Sequence, residues 1–167
     1  MEIIAKYNKI PLKKHIEDLL VAVRCLPSKK LDYEKLKVGD TQINREYFER
    51  LLDYAIVFHD LGKVSPSFQK KVGKESFDIK IDNFPDVRHN ILSLFFINKG
   101  KVKELVDYSE SLYATFLSAI AFHHWKKDEK EYLLYLNENL IRAARILLEN
   151  ENGKKLEEAL KRHLGKK

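Results

Sequence analysis

The chain has 167 residues, 44% of them hydrophobic and 34% charged, which is typical of one globular domain with a substantial core. Its single cysteine, Cys25, excludes an internal disulfide and favours a reducing compartment. No apolar run approaches the roughly 20 residues of a membrane helix, and the start of the chain lacks the apolar segment of a signal peptide. We therefore expect a single cytoplasmic domain over residues 1–167 with no membrane partner. The net charge of +6 favours a polyanionic partner such as nucleic acid.

Apolar residues recur at helical spacing through most of the chain, and they predict an all-α bundle of about seven helices. In chain order, the segments with this spacing cover residues 12–26, 46–58, 67–72, 86–98, 102–108, 112–125, 131–148 and 154–164. Ser65-Pro66 is predicted to open the third of these segments and Ser109 with Ser111 the sixth, and Lys99-Gly100 is predicted to end the fourth.

The segments between the helices carry turn signals. The lysine-rich segment 28–44 is expected to be loop with one helical turn near Tyr33, and Gly39-Asp40 marks a turn within it. Residues 73–85 have no clean period and are also predicted to be loop. No strand pattern of consequence, repeat or low-complexity tract occurs, so the expected fold class stays all-α.

Five of the six histidines fall at the core edge of four predicted helices: His15, His59, His89, His123 and His124. The sixth, His163, is expected at the surface. A single histidine on an apolar face is usually a satisfied core residue, but five of them need partners for many ring nitrogens. An unpaired buried polar group costs about 1–3 kcal/mol, and a shared metal centre would supply those partners together.

The ligand types narrow the metal class. Imidazoles without a partner thiolate exclude a closed zinc site of the cysteine type and suit Mn²⁺, Fe²⁺, Co²⁺, Ni²⁺ or Zn²⁺. Asp60, directly after His59, adds a carboxylate that can bridge two cations. The ligand count is too high for one tetrahedral ion with an open position and fits two ions about 3.5–4 Å apart.

These residues also form an ordered set of motifs: Ala5-Lys6, His15, His59-Asp60-Leu61-Gly62-Lys63, Ser65-Pro66, Phe68-Gln69, His89, Ser93 and His123-His124. In this order they resemble the HD superfamily of metal-dependent phosphohydrolases. They look most like the HD nuclease of type I CRISPR interference, which is fused to, or encoded beside, the interference helicase. The resemblance covers most of the chain, from residue 4 to residue 148.

The resemblance implies a role for each matching residue. Lys63 is expected near the scissile phosphate or the attacking water. Ser93 is expected to position substrate or a water, with helix packing as its alternative. The implied cofactor is one or two divalent ions, of Mn²⁺, Ni²⁺, Fe²⁺, Co²⁺, Mg²⁺ or Zn²⁺. The implied ligands are a bridging Asp60 with His59, then His89, His123 and His124 on one ion and His15 on the other.

The chain departs from the family pattern near its C-terminal end. The family closes its motif set with an aspartate on a late helix, which completes the shell of the metal bound by His15. No aspartate occurs here after Asp128. We expect a truncated or compact form of the family domain. Of its two predicted metal sites, the one built on Asp60, His89, His123 and His124 does not depend on the missing aspartate. The nearby alternatives to the aspartate are Glu138, Asn139, Glu149 and Asn150.

The substrate is predicted from charge and aromatic residues together with the resemblance. Trp125, Phe68 and Phe77 are candidates for stacking on bases. The expected activity is cleavage of single-stranded DNA, or RNA, by metal-activated water, with the interference helicase and the CRISPR surveillance complex as partners. A phosphohydrolase of small nucleotides and a non-catalytic docking subunit are the alternatives. Lysine doublets form a candidate track for phosphates: Lys13-Lys14, Lys29-Lys30, Lys70-Lys71, Lys126-Lys127 and Lys166-Lys167.

Overall fold

A computed structural model describes residues 2–25, 32–73, 79, 81–124, 138–149 and 151–165. Within these ranges the chain forms eight α-helices and one small hairpin, so the predicted all-α class is confirmed. The helices are α1 (Leu12–Arg24), α2 (Arg45–Phe58), α3 (Pro66–Lys71), α4 (His89–Ser93), α5 (Lys99–Leu105), α6 (Glu110–Ala121), α7 (Glu138–Glu149) and α8 (Glu151–Leu164). Two 3₁₀ turns cover Leu61–Val64 and Leu94–Phe96.

Side-chain caps determine where several helices begin. Asn44, Ser65 and Ser109 each accept a hydrogen bond from the backbone N–H three residues further on, and they cap α2, α3 and α6 respectively. Pro66 occupies the start of α3, where its missing N–H is no loss. The helix starts predicted at Ser65-Pro66 and Ser109 are therefore confirmed.

The predicted helix over 86–98 is wrong in its extent. The α-helical part covers only His89–Ser93, and a 3₁₀ turn follows it directly. Val87 is buried while the backbone of Arg88 is still non-helical, so the segment before His89 contributes to the core without being a helix. Residues 99–100 were expected to end this helix, but they begin α5, because the side chain of Asn98 caps it.

The lysine-rich segment contains a short hairpin that the sequence did not predict. Strand β1 (Lys37–Val38) pairs antiparallel with β2 (Thr41–Gln42). Gly39, between them, has a φ of 59°, a left-handed conformation that glycine adopts at little cost. The predicted turn at Gly39-Asp40 is correct, and the prediction of loop on either side of it was wrong over these two strands.

The largest hydrophobic cluster joins both ends of the described chain. Most of its buried members come from the N-terminal arm, α1, α2, the first 3₁₀ turn and α8; they include Ile3, Leu12, Ile56, Val64, Leu156 and Leu160. The first 3₁₀ turn packs on α4, α3 and α8, so it lies at the centre of the fold. Among the described residues, no helix is both long and apolar enough to cross a membrane.

His163 contributes to this packing at the end of α8. The backbone N–H of Lys13, in the first turn of α1, donates to Nε2 of His163 at 3.0 Å. Pro11, which precedes α1, provides no side-chain cap, so His163 satisfies a donor that the helix itself leaves unpaired. The imidazole expected at the surface is partly buried and joins the two ends of the chain.

Candidate metal centre

The centre is organised around Asp60, which lies between the end of α2 and the first 3₁₀ turn, with a side chain only 1% exposed. Its Oδ2 atom lies 3.1 Å from Nε2 of His15 and 3.1 Å from Nε2 of His59. Its Oδ1 atom lies 3.2 Å from Nε2 of His89 and 3.5 Å from Nε2 of His123. The two carboxylate oxygens therefore face two different pairs of imidazoles.

Helix ends bring these side chains together. His59 is the residue directly after α2, His89 is the first residue of α4, and His123 and His124 follow the end of α6. Only His15 lies inside a helix, α1. The structure thus brings the six predicted ligands into one cluster. Donor atoms within 4.8 Å of one another define two groups that share Asp60: one with His89, His123 and His124, the other with His15 and His59.

Backbone carbonyls orient two of the rings. Nδ1 of His59 lies 2.6 Å from the carbonyl oxygen of Ile56, and Nδ1 of His123 lies 2.8 Å from that of Ile120. A carbonyl oxygen only accepts, so each Nδ1 carries a proton, and a neutral ring then presents the lone pair of Nε2 to Asp60. Metal-binding histidines are commonly held by the same kind of contact.

Two buried atoms of the centre lack a hydrogen-bond partner within the described part of the chain. They are Oδ1 of Asp60 and Nε2 of His123. The two atoms lie 3.5 Å apart, and an unsatisfied buried polar atom costs about 1–3 kcal/mol. A divalent cation between them would satisfy both, so the residues present fit a bound metal.

The protonation states also suit cation binding. Burial would raise the pKa of Asp60, but contacts with the surrounding imidazoles, His123 foremost, outweigh it and hold the pKa well below its ordinary value. Burial lowers the pKa of His89, and partial desolvation, together with the nearby His123 and His89, lowers the pKa of His124 to about 4. At neutral pH the carboxylate is therefore ionised, and His89 and His124 are neutral with lone pairs to offer.

His124 lies at the outer edge of the centre. Its Nε2 is 3.1 Å from Nε2 of His89, and its ring centroid is 4.1 Å from that of His123. The residue is exposed, unlike the other predicted ligands, so it closes the group of His89 and His123 on the solvent side.

Lys63 contacts the same carboxylate from the first 3₁₀ turn. Its Nζ lies 2.6 Å from Oδ2 of Asp60, and its side chain is only 7% exposed. The ammonium also lies 5.5 Å from the centre of the Phe68 ring, a distance at which cation–π attraction operates. The predicted place of Lys63 beside a phosphate or a water stays a prediction.

Ser93 is fully buried and hydrogen-bonds to the backbone of both ligand-bearing segments. Its Oγ accepts the N–H of Gly62 at 2.9 Å and lies 2.8 Å from the carbonyl oxygens of His59 and His89. These contacts favour the packing role for Ser93, in which it positions the two histidines. Its predicted contact with substrate or water stays untested.

Two buried amides support the centre in ways that the sequence did not reveal. Gln69 donates to the carbonyl oxygens of Lys63 at 2.7 Å and of Ile4 at 2.9 Å, and accepts the N–H of Ile4 at 3.1 Å. Asn90 donates to the carbonyl oxygen of Ala121, so it joins α4 to the end of α6. The Phe-Gln pair in the motif set was the only signal for Gln69, and its role depends on contacts distant in sequence.

The second group has no late carboxylate among the described residues. The two groups contain no acid other than Asp60, and both Glu138 and Asn139 are exposed on α7. The Glu149 side chain and Asn150 lie outside what the structure describes, as do Trp125, Phe77 and three of the lysine doublets.

A cleft of about 250 Å³ borders the centre at His89. The ring of Phe68 on its wall lies 5.2 Å from the His89 ring, centroid to centroid. Lys71 pairs with Asp86 across the same cleft at 2.7 Å. The lining residues are Phe68, Lys71, Asp86, Val87, Arg88 and His89.

Comparison with known families gives a match to the family described as Cas3, HD domain, over residues 5–166. No match was found among curated proteins or among solved structures. The matched region includes every residue of the centre, and the family is one of metal-dependent HD hydrolases of CRISPR systems. With the match spanning nearly the whole chain, the protein belongs to the Cas3 HD-domain family.

Proposed function

We propose that the protein is a metal-dependent nuclease that hydrolyses phosphodiester bonds of single-stranded DNA, with water as the nucleophile. The observation that carries this proposal is the buried carboxylate of Asp60, flanked on both sides by imidazole nitrogens, with Oδ1 left unpartnered among the described residues. A site of this kind binds divalent cations, and the family supports hydrolysis as the reaction.

The residues of the centre have different proposed roles. Asp60, His89, His123 and His124 would hold one ion through Oδ1 and the Nε2 atoms that face it. When bound, such an ion would supply a charge that lowers the pKa of a coordinated water to about 7. The chain itself holds the rings at fixed angles through the Nδ1 bonds of His59 and His123.

Lys63 adds a fixed positive charge next to Asp60. Negative charge on a phosphate grows as water attacks it, so a pre-positioned ammonium stabilises the transition state more than the ground state. Because Lys63 is nearly buried, water screens its charge only weakly, and the effect is larger than at the surface.

The cleft at His89 supports a nucleic acid strand as the substrate. It offers an aromatic ring, Phe68, on which a base can stack beside the centre. The net charge of +6 favours a polyanion over a small nucleotide. In CRISPR interference, the helicase and the surveillance complex would supply the displaced strand.

We further infer that residues 1–167 form one domain, because α8 and the N-terminal arm pack in the same cluster. Its proposed partners, the interference helicase and the surveillance complex, act on DNA in the cytoplasm, and we propose the same location for this protein.

The test uses purified protein stripped with a chelator and reloaded with Mn²⁺. Labelled single-stranded DNA, single-stranded RNA, duplex DNA and a panel of nucleotides are incubated with the protein and with Asp60→Asn. We expect cleavage of single-stranded DNA, its loss with chelator, and at least a 100-fold loss in the variant. Glu49→Gln makes the same carboxylate-to-amide change at an exposed residue paired with Arg45, and this matched control should cut normally.

Other outcomes would select the alternatives. Hydrolysis of nucleotides with intact DNA would favour a phosphohydrolase of small nucleotides. A protein that binds no metal and is unaffected by Asp60→Asn in every assay would favour a docking subunit. The lack of a second carboxylate within the described groups is the observation that supports this last function.

A further inference from the structure

The two oxygens of Asp60 have different partners. Oδ1 faces His89 and His123 and has no hydrogen-bond partner in the described ranges. Oδ2 accepts a hydrogen bond from Nζ of Lys63 at 2.6 Å. The side that faces His89 therefore needs a cation, whereas the side that faces His15 already has one.

Charge counting strengthens this difference. In the described part of the chain, Asp60 is the one carboxylate of the centre and the one ion-pair partner of Lys63. One divalent ion together with the ammonium gives three positive charges to one negative charge. A second divalent ion would raise this to five against one, in a buried site where water screens poorly.

The ligand set on the Oδ2 side is also poor. It offers His15, His59 and the oxygen that Lys63 already contacts. Octahedral divalent ions prefer more oxygen donors, and an ion there would have to displace the ammonium from its short contact. Because Lys63 is nearly buried, a displaced ammonium would lose its counter-ion without ready access to water.

We propose that the ammonium of Lys63 takes the place of a second metal ion, so that the centre holds one tightly bound divalent cation. That cation lies with Oδ1 of Asp60 and with His89, His123 and His124. His15 and His59 then line the other side of Asp60 without binding an ion. This inference rests on the metal centre of the proposed function but is independent of the substrate.

The test counts bound ions by titrating chelator-stripped protein with Mn²⁺ and recording electron paramagnetic resonance spectra. We expect the wild-type protein to bind one ion tightly and to give the spectrum of an isolated Mn²⁺ even at two equivalents. Lys63→Met removes the charge and keeps the length of the side chain. It should bind a second ion at least tenfold more tightly than the wild type does, with a spin-coupled spectrum.

Two further variants make the result specific. Lys63→Arg keeps the positive charge and should still bind one ion. The double variant Lys63→Met with His15→Ala should lose the second ion and return to one. Circular dichroism of each variant checks that the helices remain, so a loss of folding is recognised.

The outcomes separate this inference from the proposed function. Two ions of similar affinity in the wild-type protein, or unchanged binding of the second ion in Lys63→Met, would overturn the role of Lys63 and leave the nuclease proposal standing. A wild-type protein that binds no ion would overturn both.

Discussion

Gly62 and the carbonyl oxygen of His89 approach so closely that a β-carbon at Gly62 would lie 2.0 Å from that oxygen. The first 3₁₀ turn and α4 therefore pack backbone against backbone. This contact holds the segment with Asp60 and Lys63 against the helix that provides His89.

Gly62→Ala should accordingly destabilise the protein. The added methyl group meets backbone atoms, which cannot move aside as a flexible side chain can, and we expect a loss of about 1–3 kcal/mol in the free energy of unfolding. Urea denaturation measures this loss. Gly100→Ala is the matched control, since its β-carbon would come no closer than 3.4 Å to another atom and lies in a helix. It should be neutral or stabilising by up to about 1 kcal/mol. Equal stability of both variants would contradict the close approach.

Ser93→Ala should weaken both folding and metal binding. It leaves the N–H of Gly62 buried without its acceptor, at a cost of about 1–3 kcal/mol. It also frees the backbone of His59 and His89, so we expect a rise in the Mn²⁺ dissociation constant. Calorimetric titration and urea denaturation measure the two effects, with the exposed Ser118→Ala as control. A variant that keeps its stability and metal affinity but loses DNA cleavage would show that the hydroxyl contacts substrate instead.

Gln69→Glu should loosen the segment that contains Lys63. The amide nitrogen donates to two carbonyl oxygens. A carboxylate oxygen in its place only accepts, so it would face these carbonyl oxygens without a hydrogen bond in a buried site. We expect a loss of about 1–3 kcal/mol at neutral pH, measured by thermal or urea unfolding. Lys70→Glu, on the exposed side of the same helix, also converts a side chain to a carboxylate and should have little effect. Equal unfolding curves for the two variants would contradict the role of Gln69.

The metal-free protein should lose stability as the pH falls from about 6.5 to about 4. The pKa of His124 is lowered from 6.5 to about 4 by partial desolvation and by the neighbouring His123 and His89, and burial lowers the pKa of His89 as well. Across this range the unfolded chain therefore binds protons that the folded chain does not bind. Because proton binding stabilises the unfolded state alone, the free energy of unfolding falls as the pH falls. The pKa of Asp60 lies well below its ordinary value of 3.8, so its carboxylate stays ionised in the folded chain and adds to this slope only near pH 4, where the carboxyl of the unfolded chain begins to bind a proton.

Urea denaturation at a series of pH values measures this slope. His124→Gln should reduce it, because glutamine does not titrate. A stability that is constant between pH 6.5 and 4, or the same slope in the variant, would contradict the lowered pKa.

Local signals in the sequence predicted much of the fold. Two kinds of feature depend only on residues close in sequence: the caps Ser65 and Ser109, and the apolar spacing of α1 and α2. The sequence pattern alone was therefore sufficient to predict these helices. The start of α4 at His89 was not predictable in this way. Apolar residues such as Val87 are buried there by tertiary contacts while the chain is still extended, and spacing does not separate that case from a helix.

For the candidate site, too, the sequence predicted some features and not others. The motif set indicated which histidines belong with Asp60, and the structure brings them together. It did not indicate which carboxylate oxygen faces which ring, nor that Lys63 would pair with Oδ2, because these depend on the angles at which three helix ends meet the side of α1. The exposed position of Glu138 likewise depends on how α7 packs.

The most direct test of the account is a crystal of the protein grown with Mn²⁺ and measured for anomalous scattering. The account predicts a strong anomalous peak in contact with Oδ1 of Asp60 and the Nε2 atoms of His89 and His123. The absence of any peak among these side chains at saturating Mn²⁺ would contradict it.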